Sequence, residues 1–252
     1  MGKKNTGNHY LLRMQNNETS SELKRMLEIF KNAITLLISL DSEVYKIILL
    51  SLIVSFSSTG LSTLVAVPLG LLIGNIEFPL KKLAIRILYT MMSLPPVVVG
   101  LVVFMLFSRK GPLGYLELNY TPIAMIIAQT VLIIPIIMGI VYNRTKEDGY
   151  RIIRVGKTLG ANYFQRGILL IKELRVPILI AIITGYGRAV SEVGAVMIVG
   201  GNIKGYTRVM TTSIAMLQGM GDYEMAIALG IVLLFISFIV NGILYHFQGE
   251  KL

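Results

Sequence analysis

The chain contains no cysteine and only two histidines, His9 and His246, near its opposite ends. Without cysteine there is neither a disulfide framework nor a thiolate metal site. Two distant histidines form no ligand cluster, so no cofactor is expected on this chain. Charge is also scarce: 15% of the 252 residues are charged, where a soluble domain carries about a quarter. The charges that exist fall in blocks, separated by apolar runs too long for a soluble core. Of the acidic residues, Glu192 alone lies well inside such a run, and no histidine accompanies it. That removes the nucleophile–base pair or paired carboxylates of an intramembrane enzyme. The inverted repeats of ion-driven secondary carriers are missing as well. The N-terminal region holds no short apolar stretch ending in a cleavage site, so no removable signal peptide is expected.

The apolar runs themselves point to helices crossing a lipid bilayer. Five are long enough: about 44–74, 83–108, 122–143, 176–203 and 225–247. The second contains Pro95–Pro96, and the third opens at Pro122 and is expected to kink at Pro135. Residues 1–21 read as a polar tail. Over 22–40, Leu23, Leu27, Phe30, Ile34, Leu37 and Ile38 fall on one helical face opposite Lys24, Arg25, Glu28 and Lys31. That pattern fits an amphipathic helix lying in the interface, with a sixth, weakly apolar span at 27–40 as the alternative. Asp41 and Ser42 offer a cap for the next helix. The fold expected is all-α and membrane-integral: one domain over 22–252 with five transmembrane helices, or six on the alternative.

The net charge of +10 is placed for topology and lipid headgroups, not for nucleic acid. Loops 75–87 and 144–175 hold eleven Lys and Arg, against four in loops 109–120 and 201–224. The basic pair is therefore expected in the cytoplasm. With five spans the N-terminus then lies outside, although residues 1–46 carry seven more basic residues. Arg208, with Arg109 and Lys110, would give the outer mouth a positive potential suited to an anion.

Val155-Gly156-Lys157-Thr158 ends like a phosphate-binding loop, but position 151, where such a loop needs another glycine, is Arg. No ATP site is expected here, and if ATP drives the process, its hydrolysis belongs to another polypeptide. In the long loop 144–175, Gly160 permits a tight reversal between two short helices. Tyr163 and Phe164 then crown the second helix as an aromatic knob, placed either to dock a partner or to rest on headgroups.

Ionisable residues within a span face the bundle interior or water and pair with something. Arg188 and Glu192 lie four apart inside the fourth run, on one face of the expected helix. A structural ion pair that holds this helix in one of two packings is the preferred reading, with direct substrate contact the alternative. Ser55, Ser57, Ser58, Thr59, Ser62 and Thr63 crowd the first span, and Gln129 and Thr130 sit within the third. Close helix packing accounts for most of these; pore lining is the alternative. Pro95–Pro96 removes backbone hydrogen bonds and marks either a gate hinge or a fixed kink. The candidate path or gate set is Arg188, Ser191, Glu192, Pro95, Pro96, Ser58, Thr59 and Gln129.

The 144–175 stretch resembles the cytoplasmic loop of permeases from ATP-binding-cassette importers, written E-A-A-x-x-x-G. Gly160 matches its glycine, Arg154-Val155-Gly156 stand in place of E-A-A, and Pro177 fits a later proline of the group. Residues 187–203, with Ser191-Glu192-Val193-Gly194-Ala195-Val196-Met197-Ile198-Val199-Gly200-Gly201-Asn202-Ile203, are similar to the molybdate, sulfate and tungstate permeases. The wording, followed by Thr207-Arg208-Val209-Met210-Thr211-Thr212, looks most like the tungstate branch, and Leu94–Gly100 and Arg109–Gly114 also resemble the group. The resemblance covers roughly 22–250. It implies a type I importer permease that pairs with a second copy of itself and takes an oxyanion, tungstate first, from an extracytoplasmic binding protein. It also implies a cytoplasmic ATPase dimer that carries ATP-Mg. The ATPase would dock on Gly160, Ala161, Asn162, Tyr163, Phe164, Gln165 and Arg166.

Overall fold

The structure, a computed structural model, describes residues 24–39 and 41–249. The expected tail at 1–21 and Leu23 lie outside them. Among the described residues every regular element is helical. Residues 24–38 form α1, and α2 runs Ser42–Asn75. Next come α3 (Lys81–Met92), α4 (Pro96–Phe107) and a 3₁₀ turn at Gly114–Leu116. Then follow α5 (Pro122–Thr158), α6 (Tyr163–Glu173), α7 (Arg175–Val190), α8 (Gly194–Gly200), α9 (Met210–Met220) and α10 (Tyr223–Gly249).

Helix α1 keeps the expected amphipathic character: Leu27, Phe30, Ile34 and Ile38 are exposed, and Ala33 is buried. Asn32 on its other face donates 2.8 Å to Glu224 at the start of α10. Its 15 residues span about 22 Å at 1.5 Å each, short of a hydrocarbon layer of about 30 Å. Among the described residues it is not one of the helices long and apolar enough to cross a membrane. Asp41 caps α2 as expected, its Oδ1 accepting the N–H groups of Glu43 and Val44 at 2.9 and 3.1 Å.

Three helices, α2, α5 and α10, are long and apolar enough to cross a membrane, and two bent pairs raise the number to five if each pair is one span. The first pair lies within the expected span at 83–108 and corrects only the size of its bend. Helices α3 and α4 meet at 100° because Pro95 and Pro96 cannot continue the hydrogen bonding of α3. Helix α4, at 12 residues, measures only about 18 Å. The second pair corrects the single span at 176–203: α7 and α8 bend by 57° across residues 191–193. A third correction concerns α5. It was expected to end near 143, yet it continues through Pro135 to Thr158, 37 residues or about 55 Å. Most of the supposed 144–175 loop is thus helix: the far end of α5, a short turn, and α6.

Helix α5 stands at the centre. Met125 and Ala128 pack with Val54, Val99, Val103, Val196 and Val199, while Ile133, Ile137 and Val141 pack with Ala66, Leu170 and Ile178. A third cluster joins α2, α9 and α10 through Ile47, Met210, Leu217 and Leu229. Outward, the apolar side chains are inverted relative to a soluble protein: Leu64 and Leu72, Val98 and Met105, and Leu234, Phe235 and Phe238 are all exposed. Lipid tails are as apolar as these side chains, so their exposure costs nothing in a bilayer. Small hydroxyl residues let α2 come close to its neighbours. Ser51, Thr59, Ser62 and Thr63 each donate at 2.7 Å to the carbonyl four residues back, so their polar groups are satisfied locally.

Candidate translocation path and docking turn

The break between α7 and α8 contains no proline. Helix α7 stops at Val190, and Ser191 turns its hydroxyl back to the carbonyls of Gly187 and Arg188 at 3.0 and 3.2 Å. Glu192 then opens the next helix, its Oε1 accepting the Ala195 N–H at 3.2 Å. A break at membrane depth leaves carbonyls that have no water to turn to. Neighbouring helices satisfy two of them. Gln129 on α5 donates from Nε2 to the Ala189 carbonyl at 3.0 Å, and Thr211 on α9 donates to the Glu192 carbonyl at 2.7 Å. The other end of the Gln129 amide accepts from Ser58 Oγ on α2 at 2.9 Å. Ser58, Gln129, Glu192 and Thr211 are all buried, so α2, α5, α7 and α9 are tied at one point.

Arg188 and Glu192 do approach each other, Nη2 to Oε2 at 3.6 Å, although not along one continuous helix. Their surroundings differ sharply: the Arg188 side chain is 45% exposed and that of Glu192 is 6%. Ser191 is exposed beside Arg188. Pro95 and Pro96 lie at the other break, and the two breaks are joined through α4 and α8. A side chain on Gly100 would put its Cβ 2.7 Å from the Ala195 Cα, and one on Gly194 would meet Val97 Cγ2 at 2.8 Å. Glycine is what lets these two short helices touch backbone to backbone.

The structure thus gathers Ser58, Gln129, Arg188, Ser191 and Glu192 around one break and brings Pro95–Pro96 to it through α4. Thr59 stands apart, on the wall of an apolar groove of about 740 Å³ between α2, α7 and α10, beside the mutually tilted rings of Phe56 and Tyr186, whose centroids are 4.6 Å apart. Thr211 was missed as a site residue. Its hydroxyl was legible only as part of a motif, because nothing in sequence spacing says which carbonyl it will cap. At the N-terminal end of α2, Glu43 holds both Lys204 at 2.7 Å and Arg208 at 3.7 Å. Arg208, expected beside Arg109 and Lys110 as free positive potential, is therefore paired, whereas Arg109 and Lys110 are exposed.

The residues expected to dock a partner form a rigid turn at the far end of α5. Gly160 takes a φ of +75°, and the Ala161 and Gly160 N–H groups bond the carbonyls of Gly156 and Lys157, both at 3.0 Å. This closes α5 in a Schellman arrangement that a left-handed residue makes possible. Asn162 starts α6 with reciprocal 2.9 Å bonds to Gln165, side chain to backbone in each direction. Arg166 donates to the Asn162 carbonyl at 3.3 Å and sits 5.8 Å from the Tyr163 ring centroid. Tyr163 and Phe164 project from this frame, 69% and 75% exposed. Two large aromatics are thus held out from the bundle by a doubly capped turn, an exposed apolar pair of the kind that partner surfaces use.

A helical membrane bundle with two broken spans and a projecting capped turn defines a class of transport protein. The family described as binding-protein-dependent transport system inner membrane component matches residues 66–250, and the chain belongs to it. It is a permease subunit of an ABC importer, a multi-pass component of the cell membrane. The chain is 53% identical over 228 residues to the tungstate uptake system permease protein of Peptoclostridium acidaminophilum, covering 90% of this chain and 100% of that relative. It is 37% identical over 219 residues to the tungstate uptake system permease protein of Campylobacter jejuni, covering 87% and 92%. A probable anion ABC transporter permease protein of Haloferax volcanii is 37% identical over 205 residues, covering 79% and 88%.

Proposed function

We propose that this permease imports tungstate, working as a pair of identical chains between an extracytoplasmic binding protein and a cytoplasmic ATPase dimer that carries ATP-Mg. The substrate rests on its likeness to two tungstate uptake permeases. The observation that carries the coupling is the capped turn at Gly160–Arg166, at one end of the same helix whose Gln129 holds the α7 break. The basic 144–175 segment lies in the cytoplasm, where a cleft of the ATPase receives Tyr163 and Phe164. ATP closure of that dimer moves the turn, α5 tilts as one body, and Gln129 draws on the Ala189 carbonyl, opening the path outward. The cargo crosses chemically unchanged, and this chain contributes no catalytic group.

The second copy follows from Arg188. A half-exposed guanidinium at membrane depth cannot face lipid without a large cost. Another protomer covering that face, with an aqueous path between the two, resolves it. Pro95–Pro96, Ser191 and the Ser58–Gln129 clasp shape the wall, with Thr59 behind it.

Reconstitution with the ATPase and binding protein tests the whole reading. Uptake stimulated by tungstate at concentrations about tenfold below those needed for molybdate or sulfate is expected, a preference of about 1.4 kcal/mol. Equal stimulation by sulfate would remove the substrate assignment. For the coupling, Phe164→Ala should leave stability within about 0.5 kcal/mol, as surface changes do, yet release the ATPase in pull-down. An unchanged complex would place docking elsewhere.

A further inference from the structure

Resting on the reading of this chain as half of an oxyanion path, we infer that Arg188 is the group that contacts the anion in transit, with Glu192 as the resident counter-ion that the anion displaces. Arg188 lies thirteen residues along α7 from Arg175, about 20 Å up the helix, within the depth of the hydrocarbon layer. It belongs to a stripe of partly exposed polar residues, Thr184, Arg188 and Ser191, spaced i, i+4, i+7 on one face of α7. Thr184 and Ser191 spend their hydroxyl protons on carbonyls of their own helix, so the guanidinium is the donor that this face offers.

That guanidinium is barely engaged. Its contact with Glu192 is a single approach at 3.6 Å, outside hydrogen-bond range, and no hydrogen bond from its nitrogens to another described residue is found. Glu192 is occupied elsewhere, one oxygen capping α8 through Ala195 and its carbonyl tied to Thr211. A pair built only for structure would bury both groups and close the geometry. Here one partner is buried and fixed, while the other is loose and turned outward. Arginine's planar fork suits two oxygens of a tetrahedral dianion. Glu192, at hand on the inner side, neutralises the path when it is empty and keeps the hold on the anion weak enough for release, as conduction demands. Two copies would present two such forks to one dianion.

The test uses vesicles with the complete transporter, comparing Arg188→Gln with the neutral double variant Arg188→Met/Glu192→Met. A structural pair tolerates joint replacement by apolar residues of similar size, whereas an anion contact does not. Both variants should assemble with the ATPase in pull-down, and uptake is read per ATP hydrolysed. Tungstate uptake per ATP should fall by at least about tenfold, the scale of one lost charged contact. Uptake by the double variant within about twofold of wild type overturns the inference and leaves the permease reading standing. If Arg188→Gln does not assemble, Arg188→Lys is the arm that decides: a raised tungstate concentration for half-maximal uptake supports the contact, and an unchanged one overturns it. Wild-type vesicles that hydrolyse ATP but import no oxyanion sink the parent reading and this inference with it.

Discussion

The two broken spans reach the same shape by different chemistry. Between α3 and α4, Pro95 and Pro96 remove donors and force a 100° bend with no side-chain cap at the new helix. Between α7 and α8, a 57° bend forms without proline, held by the Glu192 carboxylate, the Gln129 amide and the Thr211 hydroxyl. The first break is covalent in origin; the second depends on its own carboxylate and on partners from two other helices, α5 and α9. A proline bend keeps its lost hydrogen bonds whatever its neighbours do. A bend made by partners can be released when one of them moves, so under the proposed mechanism Ser191–Val193 is the element that moves.

Three substitutions sharpen that contrast, the most damaging first. Gly100→Val should abolish assembly and uptake, since its Cβ would meet backbone of Ala195 at 2.7 Å, and overpacking of this kind costs about 1–3 kcal/mol. A melting curve of the purified permease shows it, and a normal melt would mean that α4 and α8 can part freely. Glu192→Gln should leave insertion and yield intact while uptake falls roughly tenfold, because the amide keeps part of the cap but not the charge. Unchanged uptake would make the partner-held bend inert. Replacing both Pro95 and Pro96 with alanine should change uptake least, by no more than about threefold, because α8 holds α4 in place even where donors are restored. A larger loss would show that packing against α8 cannot hold the bend once the prolines that force it are gone.

How far these features were legible before folding depends on what kind of interaction makes them. Length and polarity revealed the membrane helices, because each is a property of one contiguous run. Asp41 and Gly160 were legible as cap and reversal because both act on backbone within a few residues. The break at Ser191–Val193 was read as unbroken helix, since Ser, Glu and Val are all acceptable inside one and the groups that end it come from Gln129 and Thr211, 60 and 19 residues away. The extension of α5 was missed for the opposite reason. Charge begins again at Arg144, and a change of solvent was taken for a change of structure. Arg188 and Glu192 were paired by spacing alone, but the unequal exposure that separates their roles is a property of the assembled bundle.

The uninterrupted length of α5 has a mechanical consequence. From Gln129 to Thr158 the chain stays helical through Pro135 for about 44 Å, so under the proposed mechanism force applied at its tip is carried along one continuous helix. A displacement of the tip must return as rotation at the other end, where an amide grips the carbonyl of Ala189. Stroke and grip are thereby geared to each other, and a flexible linker spliced between Asn143 and Tyr150 would act as a disengaged clutch.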